Sequence, residues 1–323
     1  MKRSRITLVI AEICLLILVS LFVRKIFEQE VPEKRVAVIL PDSGNKRWDT
    51  LIRGMKDAAD ANQIHLIICN TDEIGTVEDE EELIKEQKEN NADGFIICPA
   101  PGFQTKQMLI DQCAMAPFIL VTEDIYMGEG TEPSGLPVIK PANYEMGFLL
   151  GKQMVKDDPD ALKGKRIGIA SGWLESEQSS DALKGFKDAI KNTDCDIVWE
   201  YHRRKTENVC DGISSNEETD YIAVLDTEFL DEIGEQADES IFSGAKIYGI
   251  GSSMKSVALL DYGKIEALVL PDFYDTGYES VRQIANKMNN SFYAMSSIDT
   301  NSKLISKEDI SSNDIERFIY SYE

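Results

Sequence analysis

The sequence predicts an α/β protein of two doubly wound, Rossmann-like lobes preceded by one transmembrane helix. Three observations carry that expectation. Short apolar runs alternate with amphipathic stretches from about residue 35 onward, the rhythm restarts near residue 166, and a predominantly apolar segment, Ile6–Val23, follows a basic N-terminus. Strand and helix signals alternating at this spacing indicate βαβ units and a parallel sheet. The 323-residue length suits two lobes, since single cores stop growing at roughly 250–300 residues.

The N-terminal segment comes first. As a helix, Ile6–Val23 spans about 27 Å against a hydrocarbon thickness of roughly 30 Å. Thirteen of its side chains are Ile, Leu, Val or Phe. Together they contribute roughly −4 to −8 kcal/mol to insertion, which outweighs a cost of about +3 kcal/mol for Glu12. Glu12 either snorkels toward the interface or pairs with a partner helix. Lys2, Arg3 and Arg5 keep residues 1–5 cytoplasmic and send the rest of the chain outward, and Arg24 and Lys25 on the far flank weaken that bias without reversing it. After Val23 the chain reads RKIFEQEVPEK, with no small residues spaced for signal cleavage, and Cys14 lies in continuous apolar helix. An uncleaved anchor in the lipid bilayer, followed by a linker over 24–34, is therefore expected.

Beyond the linker, strands are expected at Val36–Leu40, His65–Cys69, Gly94–Cys98 and Phe118–Thr122, with helices around Asp49–Asn62, Glu80–Asn90 and Gln104–Met115. The second series has strands at Arg166–Ala170, Asp196–Tyr201, Tyr221–Leu225, Lys246–Ile250 and Ala267–Leu270. Its helices lie around Glu145–Val155, Ser179–Asn192, Phe229–Ala237, Ser253–Tyr262 and Asp275–Asn289, with a terminal helix near Asp314–Tyr320. Uninterrupted apolar runs such as VAVIL and FIIC fit strands buried on both faces. The acidic run Glu78–Glu82 follows Thr76 as a capping box would, so it reads as a solvated helix start. It lacks the alternating ligands and central glycine of a calcium loop.

Charge and composition exclude several functions. Thirty-four basic against 57 acidic residues leave a formal charge of −23, which repels phosphate backbones and removes nucleic acid as a partner. Two histidines and six cysteines without a CxxC spacing make neither a metal site nor a disulfide framework, and no cofactor is implied. Whether Cys195 and Cys210 pair stays open. The chain has no G-x-S-x-G elbow, P-loop or H-E-x-x-H. GIASG and GIGSS are glycine turns too short for a dinucleotide fingerprint, so an enzyme is not expected.

The stretch RVAVILPDSGNKRWDTLIRGMKDAADANQIHLIICNTDE, followed in order by ADGFIICPAP, AP-FILVTED, KGKRIGIASG, LKGFKDAI, IAVLDTEFLDEIG, KIYGIGSS and GKIEALVLPDFYDTGYESV, resembles sugar-type periplasmic binding proteins. Their type I fold is related to the effector domains of lactose-repressor-type regulators. The resemblance covers roughly residues 35–290. The place where a repressor carries its DNA-binding helices is taken here by the apolar segment. The resemblance implies lobes of 35–139 plus 272–290 and of 140–271 plus 291–323, joined by three crossings. A small solute would sit in the crevice at the carboxyl ends of the strands, as in open α/β sheets generally.

Loop residues after those strands are the candidates: Asp42, Asn45, Trp48, Thr122, Glu123, Trp173, Asp226, Asp272 and Tyr274. Asn45 and Trp48 stand where the family places an Asn and stacking aromatics, Trp48 alternatively packing its own loop. Asp226 stands where the family uses a hydrogen-bonding Asn or Asp, and alternatively caps the next helix. Trp173 lies on the facing loop. The departures are equally informative: Thr122-Glu123 replaces an Asp-Arg pair, Ser180 an Arg, Gly251 an Asp and Pro271 a polar amide. Losing several charged grips alters specificity. What remains is acidic and aromatic, which leaves an atypical sugar and a cationic solute both open. The partners expected are that small molecule and a membrane sensor kinase or an ABC permease; a ligand-free docking scaffold is a further alternative.

Overall fold

The computed structural model describes residues 13, 15–20, 34–126, 128, 132–204, 208–236, 242 and 244–310. Residues 13 and 15–20 are helical with exposed side chains. The rest of the expected anchor, most of the linker and the expected terminal helix at 314–320 lie outside the described residues. Among the described residues no helix is long and apolar enough to cross a membrane.

From residue 34 onward the chain forms two six-stranded sheets. The first comprises β1 (Lys34–Ile39), β2 (Ile64–Ile68), β3 (Gly94–Ile97), β4 (Phe118–Val121), β5 (Val138–Pro141) and β11 (Ile298–Thr300), in the order β11-β5-β4-β3-β1-β2. The second comprises β6 (Arg166–Ser171), β7 (Asp196–His202), β8 (Tyr221–Val224), β9 (Lys246–Ile250), β10 (Ala267–Pro271) and β12 (Ser302–Ser306), in the order β12-β10-β9-β8-β6-β7. Strands β1, β3, β4, β5 and β11 pair in parallel, as do β6 through β10, while β12 runs antiparallel to β10.

Nine helices of the described residues cover these sheets: α1 (Asp49–Asn62), α2 (Val77–Glu89), α3 (Thr105–Gln112), α4 (Asn143–Asp157), α5 (Glu177–Ile190), α6 (Val209–Ser214), α7 (Thr227–Glu235), α8 (Met254–Asp261) and α9 (Phe273–Asn289). The period-2 pleat divides each buried strand between two cores. Val36 and Val38 of β1 join the core under α1 and α9, whereas Ala37 and Ile39 join the core under α2 and α3. In the second sheet Ile167 and Ile169 meet α4 and α5, while Leu268 and Leu270 meet the α6–α8 side. Each lobe is thus a three-layer sandwich with one hydrophobic core on each face of its sheet.

Close helix pairs brace both lobes. A Cβ added to Gly147 of α4 would stand 1.9 Å from the Ala182 carbonyl oxygen of α5, and one on Gly54 of α1 would stand 2.0 Å from that of Tyr274 on α9. Glycine at these points lets two backbones touch.

The chain passes between the sheets three times: after β5, after β10 and between β11 and β12. Ala142 N donates to Thr300 O at 3.2 Å and Asp272 N to Asn301 O at 3.0 Å, which laces the crossings together. Strand β11 pairs with β5 of the first sheet, so residues 291–323 do not all belong to the second lobe as expected. β5 also belongs wholly to the first sheet, which moves the boundary from 139 to 141. Strands β5, β11 and β12 and the short helix α6 had no expectation; each is short, and VIKP and IDT carry too few apolar residues to stand out. In the acidic run, Thr76 caps α2 by accepting from Asp79 N. Glu78, Asp79 and Glu82 are exposed, yet Glu80 is fully buried, which corrects the solvated reading at that residue. All the described cysteines are free, Cys195 and Cys210 included.

Candidate functional site

Contacts between the lobes set the carboxyl ends of strands and the loops after them against the starts of α5 and α7, and these contacts mark the crevice. On the first lobe the β1 loop is built by its own polar groups. Asn45 accepts from Arg47 N and donates to Asp42 Oδ2, capping a short 3-10 turn at Lys46–Trp48. The Trp48 indole N–H donates to Pro41 O at 2.9 Å, and the ring is only 7% exposed within the first-lobe core. Packing therefore claims Trp48, and its neighbour reaches the crevice instead. Arg47 lies 4.5 Å over the Trp48 ring and extends Nη1 to Glu228 Oε1 on the other lobe, 2.8 Å away.

On the second lobe, Asp226 caps α7 by accepting from Glu228 N and Phe229 N at 3.0 Å each. Its Oδ1 also receives Arg203 Nη2 at 3.0 Å, and the same nitrogen stands 2.8 Å from Glu228 Oε2. Glu228 thus holds one guanidinium from each lobe. Burial acts to lower the Arg203 pKa, but Asp226 and Glu228 more than offset it, so the pKa rises. Arg203 lies 4.6 Å from the Phe229 ring and 6.0 Å from that of Trp173, which is 40% exposed. Asp226 is thus an N-cap, and its carboxylate also pairs with Arg203. Of the acids expected to be open to a cation, Asp226 is paired with the chain's own Arg203.

A second bridge joins the β4 loop to the start of α5. Ser176 Oγ donates to Glu123 Oε2 at 2.8 Å, and Asp124 N donates to Glu177 Oε2 at 3.3 Å. Lys140, in β5, pairs with Glu177 and stands 3.8 Å from Asp181. Burial raises the Glu123 pKa against the pull of Ser176 and Arg47. Burial likewise pushes Glu177 up to about 7, with Lys140 opposing. Asp124 spends its carboxylate on Ile125 N and Ser134 N. Thr122, buried with a φ of 71°, turns the chain at the strand end.

The remaining candidates sit at the crossings. Asp272 caps α9 by accepting from Asp275 N at 2.9 Å. Tyr274 turns to α1, where its hydroxyl donates to Asp57 at 2.7 Å, so it belongs to the helix pair and not to the crevice network. Of the expected residues, the structure brings Glu123, Trp173 and Asp226 to the crevice network; Asp42, Asn45 and Trp48 frame Arg47. Sequence reasoning missed Arg47, Lys140, Ser176, Glu177, Arg203 and Glu228. Arg47 lies inside the quoted GNKRWD loop, and Arg203 directly follows β7, so the rule of loops after strands covered both.

A family model described as "Periplasmic binding protein domain" matches residues 36–291. Among curated proteins, the HTH-type transcriptional regulator RegA of Clostridium saccharobutylicum is 26% identical over 124 residues, 38% of this chain. The chain spans only about a third of that relative's length, 36%. Among solved structures, GanP, a glucose-galactose binding protein from Geobacillus stearothermophilus, superposes with a TM-score of 0.71 at 17% identity, covering 87% of this chain and 99% of its own. A carbohydrate transporter solute-binding protein from Agrobacterium radiobacter, solved with D-arabinose, gives 0.75 at 15% identity and covers 90% and 100%. The XylFII–LytSN complex gives 0.71 at 16% identity, covering 86% and 99%. At these identities the likeness is one of fold.

Proposed function

Since the chain belongs to the periplasmic binding protein domain family, we propose that its lobes close on a small, neutral, polyhydroxylated solute outside the cell and report occupancy to a membrane sensor. The observation that carries this reading is the alternation of donors and acceptors from both lobes around the crevice: Arg47, Arg203, Asp226 and Glu228. Charge-assisted pairs of this kind leave oriented N–H groups and lone pairs that suit hydroxyls. Trp173 supplies an exposed aromatic face for the apolar side of such a ring. Sugar-binding neighbours of the same fold support the class of guest, and the XylFII–LytSN complex supports the sensor. The segment Ile6–Val23 is the membrane anchor in this reading, on its length and apolarity.

A thermal-shift screen of the detergent-solubilised chain against pentoses, hexoses, polyols and amines tests it. A true guest at 100-fold its dissociation constant stabilises by about 2.7 kcal/mol. No response to any sugar or polyol would sink the proposal. The importer alternative, in which the anchor only retains a transporter's binding subunit, is separated by gene neighbours: a permease pair instead of a histidine kinase. A docking scaffold is the second reading, favoured by the bridges Glu123–Ser176 and Arg47–Glu228, which join the lobes through the chain's own groups.

A further inference from the structure

The acid-and-aromatic surround that a free cation needs is already built in this crevice, and a side chain of the protein already fills it. Asp226 and Glu228 meet Arg203 Nη2 at 3.0 and 2.8 Å, and the rings of Phe229 and Trp173 lie 4.6 and 6.0 Å from its guanidinium carbon. Two carboxylates and two aromatic faces around one planar cation make a cation-recognition cage. Both acids of the cage have partners besides the occupant. Asp226 is fixed by two backbone N–H groups, and Glu228 and Phe229 are set by the first turn of α7. The occupant is fixed too: Arg203 N donates to both Ser171 O and Gly172 O, at 3.1 and 3.2 Å. From the other lobe Arg47 takes the second oxygen of Glu228.

We propose that Arg203 is the specificity-determining residue of the crevice, a tethered guanidinium that occupies a cation cage and so excludes free amines and guanidinium compounds. This rests on the crevice being the ligand site, and it deepens that reading by stating which solutes are refused. A free cation has to displace a tethered one whose effective concentration is on the order of millimolar or above, and it meets the repulsion of Arg47 as well. A neutral hydroxyl displaces nothing. One nitrogen of Arg203 makes both carboxylate contacts, so the other edges of a five-donor guanidinium are oriented for it.

The test removes the tether. Arg203→Ala, and Arg203→Met to keep an apolar stem, are made in the full-length chain and titrated with methylguanidinium at constant ionic strength, with methylammonium as the compact cation. Melting temperature and tryptophan fluorescence are read. Both variants are expected to bind methylguanidinium saturably, at least ten-fold more tightly than the unaltered protein, and to regain melting temperature as they do so. Adding Glu228→Gln should abolish that binding. Arg203→Lys, which keeps the charge, should still refuse the probe. Equal binding by the unaltered protein, or no binding by Arg203→Ala and Arg203→Met, overturns the proposal. A sugar panel that fails while rescue succeeds removes only the neutral-guest reading; failed rescue removes the gate whatever the sugars do.

Discussion

Arg47 and Glu228 meet across the crevice at 2.8 Å, one from each lobe, and the second oxygen of Glu228 is held by Arg203 from its own lobe. In the proposed closure the pair acts as an asymmetric latch. Arg47→Ala removes one contact between partly exposed groups, worth roughly 0.2–1 kcal/mol, which is up to about a five-fold shift toward the open form. Glu228→Gln should cost more, because two guanidiniums lose their carboxylate. The charge swap Arg47→Glu with Glu228→Arg should not restore closure, since the new arginine would face Arg203. Small-angle scattering reads all three as an increased radius of gyration, steepest at low salt. A swap that recovers the compact radius would contradict the latch.

Glu80 sets a pH dependence in the first lobe. Its Oε1 accepts from Ala100 N at 2.9 Å, its Oε2 is buried without a partner among the described residues, and burial pushes its pKa up to about 8. A carboxyl raised on folding makes the folded state bind an extra proton between its unfolded and folded values. Its stabilising proton is fully present below about 4.5 and lost as pH rises through about 8. Urea unfolding should therefore show stability falling between pH 5 and pH 9 by on the order of a few kcal/mol. Glu80→Gln keeps the Ala100 acceptor and should flatten most of that fall. An unchanged slope in the variant would place the titration elsewhere.

Glu80 also shows what was legible in the sequence. The capping of α2 by Thr76 was readable because it is local, whereas burial of one acid in five depends on where the β3–α3 loop comes to rest. The same division holds for the fold. Strands such as β1 and β3 announce themselves by continuous apolar runs, while β11 and β12 form only because the crossings deliver them to sheet edges. In the crevice, the loops were legible and their ends were not. Trp48 has the right residue type, but its indole N–H is claimed by Pro41 two positions beyond β1, and the adjacent Arg47 does the reaching. Arg203 and Asp226 are 23 residues apart, and no local pattern links them.

Helix contact through glycine is a second stability test. Gly147→Ala places a methyl 1.9 Å from the Ala182 carbonyl oxygen, which is backbone and yields only if α4 and α5 separate. Overpacking of this kind costs typically about 1–3 kcal/mol. Gly44→Ala is the control: nothing lies within 4 Å of its added carbon, so it should stay within about 0.5 kcal/mol. Urea midpoints of the two variants that coincide would show the α4–α5 contact to be slack.

Trp48 and Trp173 should separate stability from recognition. Trp48 is 7% exposed and donates to Pro41 O, so Trp48→Phe loses volume and strands a carbonyl. That combination costs roughly 1–3 kcal/mol of stability. Any effect on affinity passes through Arg47, which rests on the ring at 4.5 Å. Trp173 is 40% exposed with Arg203 at 6.0 Å from its ring, so Trp173→Ala leaves stability within about 0.5 kcal/mol. It should instead abolish the guest-induced change in tryptophan fluorescence and weaken binding about ten-fold, the scale of one lost aromatic face. Melting temperature and a fluorescence titration on the two variants decide it: recognition lost with Trp48 while Trp173→Ala binds normally would reverse the two roles.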